Sequence, residues 1–101
     1  MSDEHHTFFV KTAAPPSIEV DTQAASVYVR FKKASVAKTV PQPCESMHLA
    51  VDLDSHGEVI GIEAVGLTGF SIHSIMEKAS VQAPKIDFSR ARYVPAEFVE
   101  A

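Results

Sequence analysis

The most regular pattern in the chain is MHLAVDLDSHGEVIGIEAV, residues 47–65, and it sets the class of fold. Apolar and polar side chains alternate on both sides of Ser55-His56-Gly57, which is typical of half-buried β-strands joined by a turn. Gly57 has no Cβ and can adopt a positive φ, so it suits a tight hairpin. The pattern therefore predicts an antiparallel hairpin over residues 47–65, which we call the deciding hairpin. On its second strand we expect one face to carry Ile60, Ile62 and Ala64, and the other to carry Val59, Gly61, Glu63 and Val65.

The residues before this hairpin predict a second one. Ser17–Val20 alternate with period two, Asp21 opens a turn by bonding its own backbone, and Ser26–Lys32 alternate again. A weaker alternation over Ser35–Val40 ends at Pro41-Gln42-Pro43. We therefore expect further strands on the N-terminal side of the deciding hairpin.

After the hairpin the hydrophobic period changes to 3.6, which predicts a helix from about Ile72 to Ser80. Ser71 stands at the N-cap position, and Phe70 has the spacing of a hydrophobic staple with Ile75. Lys78 lies in the last turn, where a positive charge is favourable. The apolar stripe consists of Ile72, Ile75, Met76 and Ala79.

Together these patterns predict a single α+β domain over residues 17–101. Its expected architecture is a small antiparallel β-meander of about four to five strands with one helix packed on one face. Pro84 ends the helical pattern, and a last strand is expected near Ile86–Phe88 or Arg92–Val94. Residues 1–16 are expected to be a flexible or loosely docked N-terminal arm, in which Phe8–Val10 add an edge strand. The expected core consists of Val27, Val29, Phe31, Leu49, Val51, Leu53, Ile60, Ile62, Ile75 and Met76.

Composition and charge restrict the class of partner. The chain carries 13 acidic and 9 basic residues, a net charge of −4, and its basic residues are scattered apart from Lys32-Lys33. Nucleic acids and anionic membrane surfaces attract concentrated positive charge, so we expect neither as a partner. The single cysteine, Cys44, forms no disulfide within the chain, and the N-terminus lacks a secretory pattern. We therefore expect a cytoplasmic protein.

Two segments carry a family resemblance. IEVD, residues 18–21, followed by ASVYVRF, residues 25–31, makes up the first, and VDLDSHGEVIGIE, residues 51–63, makes up the second. The pair resembles the small bacterial domain-of-unknown-function family numbered 2283, over about residues 17–65. The insertion around Val40–Glu45 and the long tail after Gly66 depart from the family pattern. The resemblance implies a small antiparallel sheet, and it implies no reaction.

The turn of the deciding hairpin also resembles the calcium loop of an EF-hand. Asp52, Asp54, Gly57 and Glu63 stand at positions 1, 3, 6 and 12 of such a loop. His56 at position 5 supplies a nitrogen, which is a poor ligand for calcium, and both flanks have the period of strands instead of helices. A strand would also carry Glu63 about 20 Å away from the turn. We therefore expect a hairpin turn with solvated acids.

The polar face of the predicted sheet holds the candidate ligand-binding residues Tyr28, Arg30, His48, Asp52 and Glu63. A histidine, two carboxylates and an arginine support general acid–base chemistry if they converge in a pocket. Cross-strand pairing of Arg30 with Glu63 and ordinary solvated charges explain the same residues. The sequence contains no G-x-S-x-G motif, no glycine-rich phosphate loop and no zinc-ligand spacing. We therefore assign no catalytic residue, no metal ligand and no cofactor.

The leading hypothesis is a noncatalytic interaction or regulatory module that acts as a homodimer. A short chain builds a small core, and a small sheet leaves an edge that self-association covers. The alternatives are a small-ligand-binding or metal-binding protein and a small hydrolase or isomerase, all using the polar sheet face. A walled pocket is typical of the alternatives, whereas a flat apolar patch is typical of an interaction module.

Overall fold

The computed structural model describes residues 7–66 and 71–95. The described part of the chain contains one α-helix and eight short strands, and a 3₁₀ turn at Phe88–Arg90 precedes the last strand. In chain order the elements are β1 (Phe8–Phe9), β2 (Ser17–Asp21), β3 (Ser26–Arg30), β4 (Lys38–Gln42), β5 (His48–Leu53), β6 (Val59–Val65), α1 (Ile72–Ala79), β7 (Val81–Gln82) and β8 (Arg92–Pro95).

Six strands form the main sheet, in the order β4-β5-β6-β3-β2-β8. Neighbouring strands are antiparallel except for β2 and β8, which are parallel. The expected α+β class, with one helix and a mostly antiparallel sheet, is confirmed for the described residues. The strand order is not that of a simple meander, because β6 returns to lie between β5 and β3. Consecutive strands β3 and β4 are therefore separated by two others.

The deciding hairpin forms as the sequence predicts, and its turn is held by Asp54. The Oδ1 atom of Asp54 accepts hydrogen bonds from the backbone N–H groups of His56 at 2.8 Å and Glu58 at 3.0 Å. Gly57 has a φ of 81°, the left-handed conformation that a residue without Cβ adopts most easily. The spacing that resembles an EF-hand calcium loop thus belongs to a hairpin turn, in which Asp54 accepts hydrogen bonds from the backbone of the turn.

A β-bulge corrects the expected alternation on the second strand of this hairpin. Asp52 pairs with Gly61, but Leu53 pairs with Val59, so Ile60 is an extra residue on β6. The bulge turns Val59 toward the core, where it joins the same buried cluster as Ile62, although the alternation predicts an outward position. A strict period of two cannot predict which face a residue occupies beyond a bulge, because the extra residue moves every following side chain to the opposite face.

The core lies between one face of the main sheet and α1. All ten residues expected in the core are buried, with Val29, Val51, Ile60, Ile62 and Ile75 at 0% exposure. The helix begins after Ser71, whose side chain accepts a hydrogen bond from the Ser74 N–H at 3.1 Å, and the predicted N-cap is therefore confirmed. Phe70, the other half of the expected staple, lies outside the described residues.

The N-terminal segment from Thr7 onward is attached to the body of the protein. The N–H groups of Phe8 and Val10 donate to the carbonyls of Ser80 at 2.9 Å and Gln82 at 2.8 Å, so β1 runs parallel to β7. Val10 and Pro16 are buried. Residues 1–6, the first part of the arm expected over residues 1–16, lie outside the described residues. Among the described residues, no helix has the length and apolar character needed to cross a membrane.

Candidate functional site

The face of the main sheet that points away from the core carries the predicted polar residues. Arg30, Gly61, Asp52 and Thr39 occupy one row across β3, β6, β5 and β4, because each is paired with the next by the strand register. Tyr28 lies two residues before Arg30 on β3 and therefore points to the same side. The described structure thus places a continuous polar surface opposite the core.

Five residues on this face form a connected set that we call the polar chain: Glu19, Arg30, Tyr28, Asp52 and Thr39. The Tyr28 hydroxyl donates to Asp52 Oδ2 at 2.8 Å, and the Thr39 hydroxyl donates to Asp52 Oδ1 at 2.7 Å. The Arg30 Nε donates to Glu19 Oε2 at 2.7 Å, and its guanidinium carbon lies 4.8 Å from the centre of the Tyr28 ring. The polar chain joins β4, β5, β3 and β2 and passes over β6.

The position of the Tyr28 ring depends on Gly61 in β6, the strand that lies between β3 and β5. A Cβ placed on Gly61 would lie 2.6 Å from the Cζ and hydroxyl oxygen of Tyr28, which is closer than any real contact of this kind. Burial, followed by the hydrogen bond to Asp52, raises the pKa of Tyr28 above its usual value. The Tyr28 hydroxyl therefore stays protonated and uses its proton in the hydrogen bond to Asp52.

Among the described residues, the remaining predicted residues of this face, His48 and Glu63, form no hydrogen bond or ion pair with the polar chain. Both are exposed, and the register places Glu63 opposite Tyr28 and His48 opposite Val65. The expected pairing of Arg30 with Glu63 is wrong, because Arg30 lies opposite Gly61 and forms its ion pair with Glu19 on the other neighbouring strand. The sequence signals that could have found Glu19 and Thr39 are their outward positions in alternating strands.

A second charged cluster lies at the turn of the deciding hairpin. Lys32 Nζ is 2.5 Å from Asp54 Oδ2 and 3.0 Å from Glu58 Oε1. The Lys32 contact and the backbone donors of the turn lower the pKa of Asp54 to about 2. Within the described ranges, no group of three or more histidine, cysteine or acidic residues has an arrangement that could hold a metal ion.

A partly enclosed apolar space lies on the other side of the molecule, and the sequence did not predict it. A groove of about 480 Å³ runs between α1, β7 and the 3₁₀ turn, and it is lined by Ile72, Met76, Val81 and Phe88 with His73 and Glu77 at its rim. The helical stripe explains Ile72 and Met76 as core residues. The groove appears only when β7 and Phe88 are brought beside the helix.

The two edges of the main sheet differ in what they offer to another strand. The edge strand β4 carries Lys38 and Pro41, and both residue types discourage strand addition. The edge strand β8 is joined to β2 through the Arg92 N–H, which donates to the Pro16 carbonyl at 3.0 Å. Because backbone groups alternate along a strand, the N–H and C=O of Tyr93 point away from β2. The Tyr93 side chain is 59% exposed.

Comparisons with known proteins add no further assignment. No protein-family model, no curated protein and no solved structure matches this chain. The resemblance of residues 17–65 to the bacterial family numbered 2283 stays a prediction.

Proposed function

We propose that this chain is a noncatalytic interaction module that forms a homodimer by antiparallel pairing of two β8 strands. The single observation that carries the proposal is the difference between the two sheet edges. The β4 edge contains Lys38 and Pro41, whereas β8 turns the backbone N–H and C=O of Tyr93 outward beside an exposed aromatic ring. Pairing two copies would extend the sheet and remove an edge from water.

A twofold axis at Tyr93 satisfies the geometry of such an interface. An antiparallel hydrogen-bonded pair exchanges two N–H···O=C bonds between directly opposite residues, so Tyr93 of one copy and Tyr93 of the other each donate and accept. Their rings then lie on the same face of the joined sheet as cross-strand neighbours, an arrangement that stabilises antiparallel pairs. Pro95 has no N–H and limits the pairing to the region around Tyr93.

The polar chain supports a noncatalytic reading of the sheet face. Tyr28 and Thr39 both donate to Asp52, and Arg30 is engaged by Glu19, so these side chains bind one another. A general base at neutral pH needs a pKa near 7, and the pKa of Tyr28 is moved away from that range. The geometry favours an interaction module over a ligand site or a hydrolase on this face. We expect it to act in a reducing compartment, since Cys44 is a free thiol.

Sedimentation velocity of the full chain from 5 to 500 μM tests the proposal. We expect a monomer–dimer equilibrium that Tyr93→Pro and Tyr93→Lys weaken at least tenfold. Tyr93→Pro removes a donor that points away from β2, so it spares the pairing of β8 with β2. Tyr93→Phe is the matched control, because it keeps both the ring and the backbone donor, and it should dimerise like the unaltered chain.

Circular dichroism melting of each variant checks that it folds. A chain that stays monomeric throughout this concentration range would reject the homodimer. A dimer that Tyr93→Pro and Tyr93→Lys leave intact, in variants that melt cooperatively, would reject β8 as its interface.

A further inference from the structure

The groove between α1, β7 and Phe88 has the size and lining of a small-molecule site. Its volume of about 480 Å³ lies within the range of roughly 300–1,000 Å³ in which such ligands bind. Its floor is apolar, with Ile72, Met76 and Val81 each less than a tenth exposed. Phe88 closes one side from the 3₁₀ turn and remains partly exposed, so its ring is available to a ligand.

The charge of the groove selects among possible ligands. Among the described residues that line it, Glu77 is the one acid and there is no lysine or arginine. The ion pairs formed by the described residues engage Glu19, Asp54 and Glu58, and Glu77 takes part in none of them. Lys78 follows Glu77 and does not line the groove, although both residues border a second depression beside Cys44. The hydrogen bond with Ser46 is the main cause that lowers the pKa of the Cys44 thiol there, and Lys78 adds to it.

We propose that this groove binds a small organic cation with an aromatic body. The aromatic body would lie against Met76 and Phe88, where aromatic and thioether contacts are favourable. The ammonium group would lie at the rim beside the carboxylate of Glu77. A carboxylate ligand of the same shape would meet the negative charge of Glu77, and the described lining residues include no lysine or arginine to offset it, His73 being the one basic side chain there.

A pair of probes with one aromatic body and opposite charge tests this inference. We would titrate the ¹⁵N-labelled full chain with 2-(1-naphthyl)ethylammonium and, separately, with 1-naphthylacetate, and follow the backbone amide signals. The expected result is saturable binding of the cation, with shifts concentrated at Ile72–Gln82 and Phe88, and binding of the acetate at least tenfold weaker.

Two variants locate the binding. Glu77→Gln should weaken the cation about two- to fivefold, the size expected for a solvent-exposed ion pair, and leave the acetate no weaker than before. Ala83→Phe should fill the groove and weaken the cation strongly. Glu63→Gln is the matched control, because it removes a carboxylate from the opposite side of the sheet, and it should bind the cation normally.

The amide spectrum of each variant shows whether it is folded. The inference is overturned if the cation gives no saturable shifts up to 10 mM, if the acetate binds as tightly, or if the shifts lie outside the groove. It is also overturned if a folded Glu77→Gln protein binds the cation as tightly as the unaltered chain. The proposed homodimer involves β8 and is tested by sedimentation, whereas the groove is tested by ligand titration, so either proposal can fail while the other holds.

Discussion

The ring of Tyr28 lies directly over Gly61. A Cβ at Gly61 would stand 2.6 Å from the Cζ and hydroxyl oxygen of Tyr28, so the glycine leaves the space that the ring fills. From this position the Tyr28 hydroxyl crosses β6 and donates to Asp52 at 2.8 Å. One missing methyl group therefore permits a hydrogen bond between two strands that do not pair with each other.

Gly61→Ala should displace the Tyr28 ring and break its bond to Asp52. We expect a loss of about 2 kcal/mol in the free energy of unfolding, from overpacking together with the lost hydrogen bond. Urea denaturation measures it. In a Tyr28→Ala background, the same substitution should cost less than about 0.5 kcal/mol, because the ring that it would strike is gone. Equal losses in the two backgrounds would show that the ring and the glycine are independent.

The Tyr28 hydroxyl can be tested without disturbing the packing of its ring. Tyr28→Phe should lower the free energy of unfolding by about 1 kcal/mol, since Asp52 loses one of its two side-chain donors. Tyr93→Phe is the matched control, because it removes the same hydroxyl from a ring that is 59% exposed. Thermal melts of both variants measure the effect, and equal melting temperatures for Tyr28→Phe and Tyr93→Phe would show that the Tyr28 hydroxyl does not stabilise the fold.

Gln42 should be required for the attachment of the helix to the sheet edge. Its side chain is 4% exposed, and its Nε2 donates to the carbonyl of Ala79, the last residue of α1, at 2.6 Å. Gln42→Leu leaves that carbonyl without its donor and should cost about 1–3 kcal/mol in chemical denaturation. Gln23→Leu, at an exposed position in a turn, should change stability by less than about 0.5 kcal/mol. Equal effects would contradict the helix-end contact.

The contribution of Asp54 to stability should depend on pH. Its pKa falls from 3.8 to about 2 in the folded chain, chiefly through Lys32 and then through the backbone donors of the turn. The folded state therefore favours the ionised form, so the stabilisation is complete above the unfolded pKa and is lost as the pH falls through the folded value. Urea midpoints of the unaltered chain and of Asp54→Asn should differ at pH 7 and converge near pH 2. A difference that persists at pH 2 would contradict the ionic origin.

Replacing Ala25 with glycine should stabilise the folded chain. It has a φ of 52°, a left-handed conformation in the turn between β2 and β3, and its carbonyl accepts a hydrogen bond from the Gly66 N–H at 2.9 Å. Glycine adopts this conformation without the Cβ penalty of about 1–2 kcal/mol, which outweighs its larger entropy in the unfolded chain. Ala25→Gly should raise the melting temperature by a few degrees, whereas Ala24→Gly should not. A decrease for Ala25→Gly would show that the turn is unstrained.

Local patterns predicted the elements whose hydrogen bonds are local. The hairpin of residues 47–65 and the helix at Ile72–Ala79 follow from periodicities of 2 and 3.6, a turn glycine and the N-cap serine. The outward placement of Tyr28, Arg30 and Asp52 follows from the same alternation. The bulge at Ile60 escaped prediction, since an inserted residue leaves no mark in the hydrophobic pattern.

Short-range patterns in the sequence were enough to predict β2, β3, β5, β6, the helix and the outward side of Tyr28, Arg30 and Asp52, because these features depend on neighbours a few positions apart. The order and register of the strands emerged only in the tertiary structure: β6 lies between β3 and β5, Gly61 instead of Glu63 stands opposite Arg30, and Arg30 pairs with Glu19 on β2. The tertiary structure also decided that β8 forms an edge and that Phe88 closes a groove against α1. These features depend on contacts between residues far apart in the chain, which the whole core selects together and which no short stretch of sequence encodes.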